Sequence, residues 1–115
     1  MIEVTQLPLQ SPSQRKVWSR MPAYVVVNTI VEDPERYKRY RELAAEAVKS
    51  HGGRYVVRGG EMEVLEGDWR PERLVVLEFE SLEVARGWYA SEQYRAAREA
   101  REGAATMEMV AVAGL

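Results

Sequence analysis

Arg54 and Arg58 stand four residues apart in Arg54-Tyr55-Val56-Val57-Arg58, a run that reads as a strand. Equal parity puts both guanidiniums on one face of a regular strand. Together they would hold a carboxylate or phosphate in a bidentate grip. The competing reading pairs them with Glu61, Glu63 or Glu78, across strands or across subunits. Glu61 and Glu63 read either as a carboxylate pair, about 6–7 Å apart along a strand, or as a solvated edge. His51 is the only histidine. A histidine can serve as an acid or a base, but this one also stands at a helix end, where the dipole favours a cation. Asn28 is the one strongly polar side chain of an apolar strand. Buried without partners, its amide would cost about 1–3 kcal/mol. It shares parity with Tyr24, Val26 and Ile30, so it either lines an interior pocket or is a satisfied core amide. Tyr37, Trp88, Tyr89 and Tyr94 supply aromatic surface, for core and interface or as a stacking platform for an aromatic ligand.

The rest of the composition narrows the chemistry. There is no cysteine among the 115 residues, so a thiol nucleophile, a thiolate zinc site, a disulfide framework and a cysteine-held iron–sulfur cluster are excluded. One histidine rules out a site needing two imidazole ligands from one chain; no metal and no cofactor are expected. The paired glycines Gly52-Gly53 and Gly59-Gly60 match neither a dinucleotide fingerprint nor a phosphate loop. A net charge of -2, with basic and acidic residues interspersed, gives no support for nucleic-acid binding. No apolar run is long enough to span a bilayer, and the N-terminus lacks a basic-then-apolar leader. A cytoplasmic protein without membrane contact is expected.

These residues need elements to position them. Ala23 to Val31 reads as a strand, apolar at both parities and so covered on both faces. Asp33 caps a helix with Pro34 at its first position and Glu35 near its positive end. Tyr37, Tyr40, Leu43, Ala44, Ala47 and Val48 form its apolar face, and Gly52-Gly53 ends it. A long strand from Arg54 through Leu65 follows, interrupted at Gly59-Gly60, where a bulge with Gly60 at positive φ is expected. After a turn over 66–71, Arg73 to Phe79 is a third strand, again apolar at both parities. Ser81 caps a helix that breaks and restarts at Ser91, and Thr106 to Val112 is the fourth strand. Residues 1–20, with two prolines and no periodicity, read as an extended arm anchored by Val17 and Trp18, outside a single domain over 21–115.

The order β-α-β-β-α-β predicts an α+β, ferredoxin-like sandwich: a four-stranded antiparallel sheet with both helices on one face. The first and third strands, central in this fold, remain apolar on the uncovered side. A homodimer packed through the sheet face resolves that.

Asp33-Pro34-Glu35-Arg36-Tyr37, Gly52-Gly53-Arg54, Arg58-Gly59-Gly60, Val64-Leu65-Glu66-Gly67-Asp68-Trp69, Leu74-Val75-Val76-Leu77-Glu78-Phe79 and Trp88-Tyr89-Ala90-Ser91 occur here in order and spacing. In these features the chain, from about Met21 to Val112, resembles the bacterial family called domain of unknown function 1330. The resemblance implies the dimeric α/β-barrel superfamily, which holds cofactor-free monooxygenases, small isomerases and haem enzymes. It brings no reaction to carry over. The expected function is binding of a small, anionic or aromatic molecule between sheet and helices, by Asn28, Tyr37, Arg58, Glu61 and Trp88, with proton-transfer or cofactor-free oxygenase chemistry. The alternative is a dimeric interaction or regulatory module without catalysis.

Overall fold

The structure is a computed structural model that describes residues 21–115; the arm expected over 1–20, with Val17 and Trp18, lies outside the described residues. Four strands and three helices follow in order: β1 Ala23–Val31, α1 Pro34–Ser50, β2 Arg54–Arg58, β3 Leu74–Phe79, α2 Leu82–Ala90, α3 Glu92–Ala100 and β4 Ala105–Ala113. The sheet order is β2-β3-β1-β4, with every neighbouring pair antiparallel. This is the expected ferredoxin-like α+β sandwich, and the two strands that are apolar at both parities take its centre.

Local chemistry sets the helix boundaries. The Asp33 carboxylate accepts the Arg36 N–H at 3.2 Å, and Pro34 opens α1. The helix closes through Gly52 at φ +72, with the Gly53 N–H donating to the Val48 carbonyl at 2.9 Å. Ser81 caps α2 by accepting from Val84 N–H. Ser91 has an extended backbone, φ -71 and ψ 157, which stops α2. Its hydroxyl donates to the Trp88 carbonyl at 2.7 Å and accepts from the Tyr94 N–H at 3.1 Å, so one residue ends α2 and starts α3.

Alternation divides the sheet into two faces. Val25, Val27, Val75, Leu77 and Phe79 are buried against Tyr37, Tyr40, Ala44, Val48, Trp88 and Tyr94 of the helices. Trp88, Tyr94 and Phe79 are the largest fully buried side chains, and each such aromatic removes about 150–250 Å² from water. The opposite face carries Tyr24, Val26, Asn28, Leu74, Val76 and Glu78, only half-buried, with Val110 and Val112 exposed.

The stretch 54–73 departs from the expected long strand. β2 ends at Arg58, and 59–73 contains no strand; residues 59–70 are all exposed. The bulge lies earlier than the glycines. Tyr55 pairs with Leu77 and Val57 with Val76, leaving Val56 as the extra residue. Gly59, at φ +72, and not Gly60, has the left-handed backbone. Its N–H donates to the Leu74 carbonyl at 2.8 Å, and the Arg73 guanidinium fills the place a Cβ would need.

Candidate functional site

The Val56 bulge reverses the parity of β2. Before it, Arg54 stands opposite Glu78 and faces away from the helices; after it, Arg58 stands opposite the buried Val75 and faces toward them. The two arginines therefore lie on opposite sides of the sheet and make no common anion grip, because a strand with one extra residue no longer obeys simple alternation. Arg54 takes the competing reading: its Nε donates to Glu78 at 2.6 Å. The Tyr24 hydroxyl donates to the other oxygen of Glu78 at 3.3 Å. Asn28 shares the parity expected, but that parity belongs to the uncovered face. Its side-chain oxygen accepts the Glu72 N–H at 2.9 Å, so it joins the loop to β1 and lines no interior pocket. Glu61 and Glu63 are exposed in the loop. The His51 Nδ1 lies 2.9 Å from the Ala47 carbonyl at the end of α1, its structural reading.

Arg58, Tyr37 and Trp88 do come together, in a cleft of about 30 Å³ between the sheet and the helices. β1 supplies Thr29, α1 supplies Tyr37, Tyr40 and Arg41, the end of β2 supplies Arg58, and the end of the 59–73 loop supplies Arg73. Trp88 and Tyr94 come from the two sides of the Ser91 break, with ring centroids 4.2 Å apart. Met107 and Met109 complete the wall from β4. Arg41 and Arg58 are exposed and mark the mouth, whereas Thr29 and Trp88, 1% and 2% exposed, form the floor.

The polar groups of this cleft are donors or hydroxyls. No Asp, Glu, His or Lys lines it. Arginine and tryptophan side chains can only donate, and threonine and tyrosine hydroxyls donate as well as accept. Thr29 Oγ1 and Trp88 Nε1 are buried with no hydrogen-bond partner, as is Arg73 Nε. Arg98 Nε and Arg101 Nε share that condition outside the lining, their guanidiniums lying over the Tyr89 and Tyr40 rings. An unpaired buried polar group costs about 1–3 kcal/mol. The Tyr40 and Tyr94 hydroxyls lie 2.8 Å apart. Burial pushes the pKa of Tyr40, Tyr94 and Tyr55 upward, so all three stay neutral at physiological pH; the nearby Arg58 opposes the rise at Tyr55. Arg58 sits 4.0 Å over the Tyr55 ring.

Sequence reasoning missed Thr29, Tyr40, Tyr55 and Arg73 as parts of one site. Tyr40 and Tyr94 are 54 positions apart, and no local pattern announces that contact. For Thr29 a signal existed, a hydroxyl at the parity of the buried Val25 and Val27. Among the described residues, no group of three or more His, Asp or Glu is placed to hold a metal, and no helix is long and apolar enough to cross a membrane.

The family model described as "Domain of unknown function (DUF1330)" matches residues 22–115. No curated protein matches the chain. Among solved structures, a protein of unknown function from Rhodopseudomonas palustris is similar at TM-score 0.67 and 16% identity, over 92% of this chain and 94% of that one. The cofactor-independent oxygenase SnoaB from Streptomyces nogalater aligns at TM-score 0.56 and 14% identity, over 79% of this chain and 90% of that one. A protein of unknown function from Bacteroides thetaiotaomicron, described as a possible oxidoreductase, aligns at TM-score 0.54 and 14% identity, over 82% and 98%. At such identities the likeness speaks for the shared fold. The chain belongs to the domain of unknown function 1330 family, whose model spans all but the first of the described residues.

Proposed function

We propose that this member of the family is a small-molecule-binding domain that works as a homodimer. Each subunit keeps its ligand in the cleft between sheet and helices, against aromatic walls and under the arginines of the mouth. The observation that carries this reading is the pair of unpartnered donors at the cleft floor, Thr29 Oγ1 and Trp88 Nε1. Buried polar groups are normally satisfied, so these two orphans at the floor, with Arg73 Nε a third in the lining, argue for a group that arrives from outside. The dimer rests on the uncovered sheet face, where Val26, Val76, Val110 and Val112 form an apolar surface that a second copy would bury.

Of the two chemistries expected, the lining supports oxygenation over isomerisation. An isomerase needs a base to carry a proton between carbons, and no carboxylate or imidazole lines the cleft. Donors and guanidiniums instead stabilise a ligand that is already an anion, and such an anion can itself supply electrons to dioxygen. The fold likeness to a cofactor-independent oxygenase agrees with that direction. The lack of cysteine fits a reducing compartment, and we place the protein in the cytoplasm.

A second reading, a dimeric interaction module without turnover, draws on the 59–73 loop, where Leu65 and Trp69 are 89% and 60% exposed. A thermal-shift screen of the full chain against small organic acids and phenols separates the two readings, with Arg58→Ala as the control. Stabilising ligands whose effect drops in Arg58→Ala support the cleft. Ligands indifferent to that change, or none at all, overturn it in favour of the module. Light scattering at micromolar concentration tests the dimer, and a monomer there overturns that part.

A further inference from the structure

We propose that the floor of the cleft receives the carboxylate head of a small organic acid, with the rest of the molecule lying toward the mouth. The inference rests on the cleft being a ligand site and names the class of group that occupies its floor. Three features of the floor lead to it.

The first is size. The cavity measures about 30 Å³. A cavity of roughly 10–15 Å³ by this measure holds one water, so the cleft as a whole encloses only a small head group, and the rest of a ligand extends out of the mouth. A carboxylate presents two oxygens on one carbon. A phosphate or sulfonate presents three or four around a larger centre.

The second is hydrogen-bond polarity. Thr29 Oγ1 and Trp88 Nε1 are both buried and unpartnered, and the indole N–H can only donate. The Tyr40–Tyr94 pair adds to this. Whichever hydroxyl donates across the 2.8 Å contact, the other keeps a proton that the pair does not use. A carboxylate only accepts, with about four lone-pair positions. A primary amide of the same shape would bring two N–H donors, for which the side chains of the lining offer only hydroxyl oxygens and no carboxylate or imidazole. Discrimination by such unpaired groups is steep.

The third is charge. Arg41, Arg58 and Arg73 line the cleft, and no acidic residue does. Arg58 lies over the Tyr55 ring, so its planar face is held while its N–H groups remain at the mouth. An anion in the cleft offsets this one-signed lining.

The test is a titration of the full chain with acetate, benzoate and phenylacetate, against acetamide, benzamide and phenylphosphonate. It is read by the indole N–H resonance of Trp88 and by calorimetry. A carboxylate of the series is expected to saturate and to shift the Trp88 N–H downfield. Its amide is expected to bind at least about tenfold more weakly, as the loss of a charge-assisted hydrogen bond implies. Thr29→Val, which keeps the shape and removes the hydroxyl, should weaken the carboxylate by about five- to tenfold and leave the amide unchanged. Trp88→Phe should do the same; should it fail to fold, Thr29→Val and the Trp88 resonance in the unaltered protein decide the matter. Equal binding of acid and amide, no effect of Thr29→Val, or tighter binding of phenylphosphonate overturns the carboxylate assignment while the cleft stands. So does a thermal-shift screen in which other ligands depend on Arg58 but no carboxylate moves the Trp88 signal at millimolar concentration. If no small molecule depends on Arg58, the cleft itself falls, and the head group with it.

Discussion

The two faces of the sheet come from the same strands, residue by residue, yet each is finished where the other is not. On the helix side the apolar surface is closed: Val25, Val27, Leu77 and Phe79 are buried against Trp88 and Tyr94. Its polar groups are left open, with Thr29 Oγ1 and Trp88 Nε1 unpartnered. On the other side Asn28 is bonded to the loop, and Arg54 and Tyr24 share Glu78. There it is apolar surface that stays in water, with Val110 65% and Val112 49% exposed. The difference indicates what each face lacks. One has unpartnered hydrogen-bonding groups in a narrow cleft, the observation on which the proposed small ligand rests. The other leaves apolar area in water, the observation on which the proposed second copy rests.

Breaking the helix side should cost the most. Trp88→Ala removes the centre of the aromatic cluster and is expected to destabilise by about 3–5 kcal/mol in denaturant unfolding. A loss below 1 kcal/mol would mean that the cluster is loosely packed and the contrast between the faces overstated. On the open side, Val110→Asp should leave the fold of one chain within about 0.5 kcal/mol, as for an exposed position. It should nonetheless convert a dimer to monomer in light scattering, and a dimer that persists would show that this face is not the one covered. Gly59→Ala places a Cβ at φ +72 against the Arg73 guanidinium. It is expected to cost about 1–2 kcal/mol, whereas Gly60→Ala, with open space around it, should stay within about 0.5 kcal/mol. Equal effects at the two glycines would remove the special role of the first.

The smallest effect near neutrality concerns pH. Tyr40, Tyr55 and Tyr94 have folded-state pKa values raised above the ordinary 10.0 by burial. The unfolded chain therefore releases these protons first as pH rises. Their contribution is complete below pH 10 and is lost progressively above it. Melting temperature followed against pH should be insensitive to these groups near neutrality and fall above pH 10, with phenolate absorbance from the three appearing together with unfolding. Phenolate absorbance from all six tyrosines before unfolding would show the helix side to be open to water.

The fold was legible because its signals are local or periodic. Two strands apolar at both parities point to the sheet centre, Asp33-Pro34 marks a helix start, and Ser91 marks a break. The cleft proposed as a site was legible in part. Tyr37, Arg58 and Trp88 were named and do meet, but Asn28, Arg54, His51 and Glu61 lie elsewhere. Parity told which residues share a face and not which face the helices would cover, so Asn28 was placed inside. The glycine pair drew attention because glycine is the usual mark of an irregular strand, whereas the extra residue is a valine flanked by strand formers. Nothing in Tyr55-Val56-Val57 distinguishes a bulge from regular pairing until β3 is laid beside it.

That valine has a consequence for how relatives of this chain are compared. Val56 acts on β2 as a frameshift acts on a message: every position after it is read in the other phase. Deleting it, with no other change, would restore regular alternation to β2 and leave Arg58 opposite Val75, still facing the cleft. Strand pairing between Arg54 and Gly59 is thus a character in its own right. A relative of the same length that pairs here without a bulge keeps every side chain named above and yet carries its second arginine on the open face, beside the first.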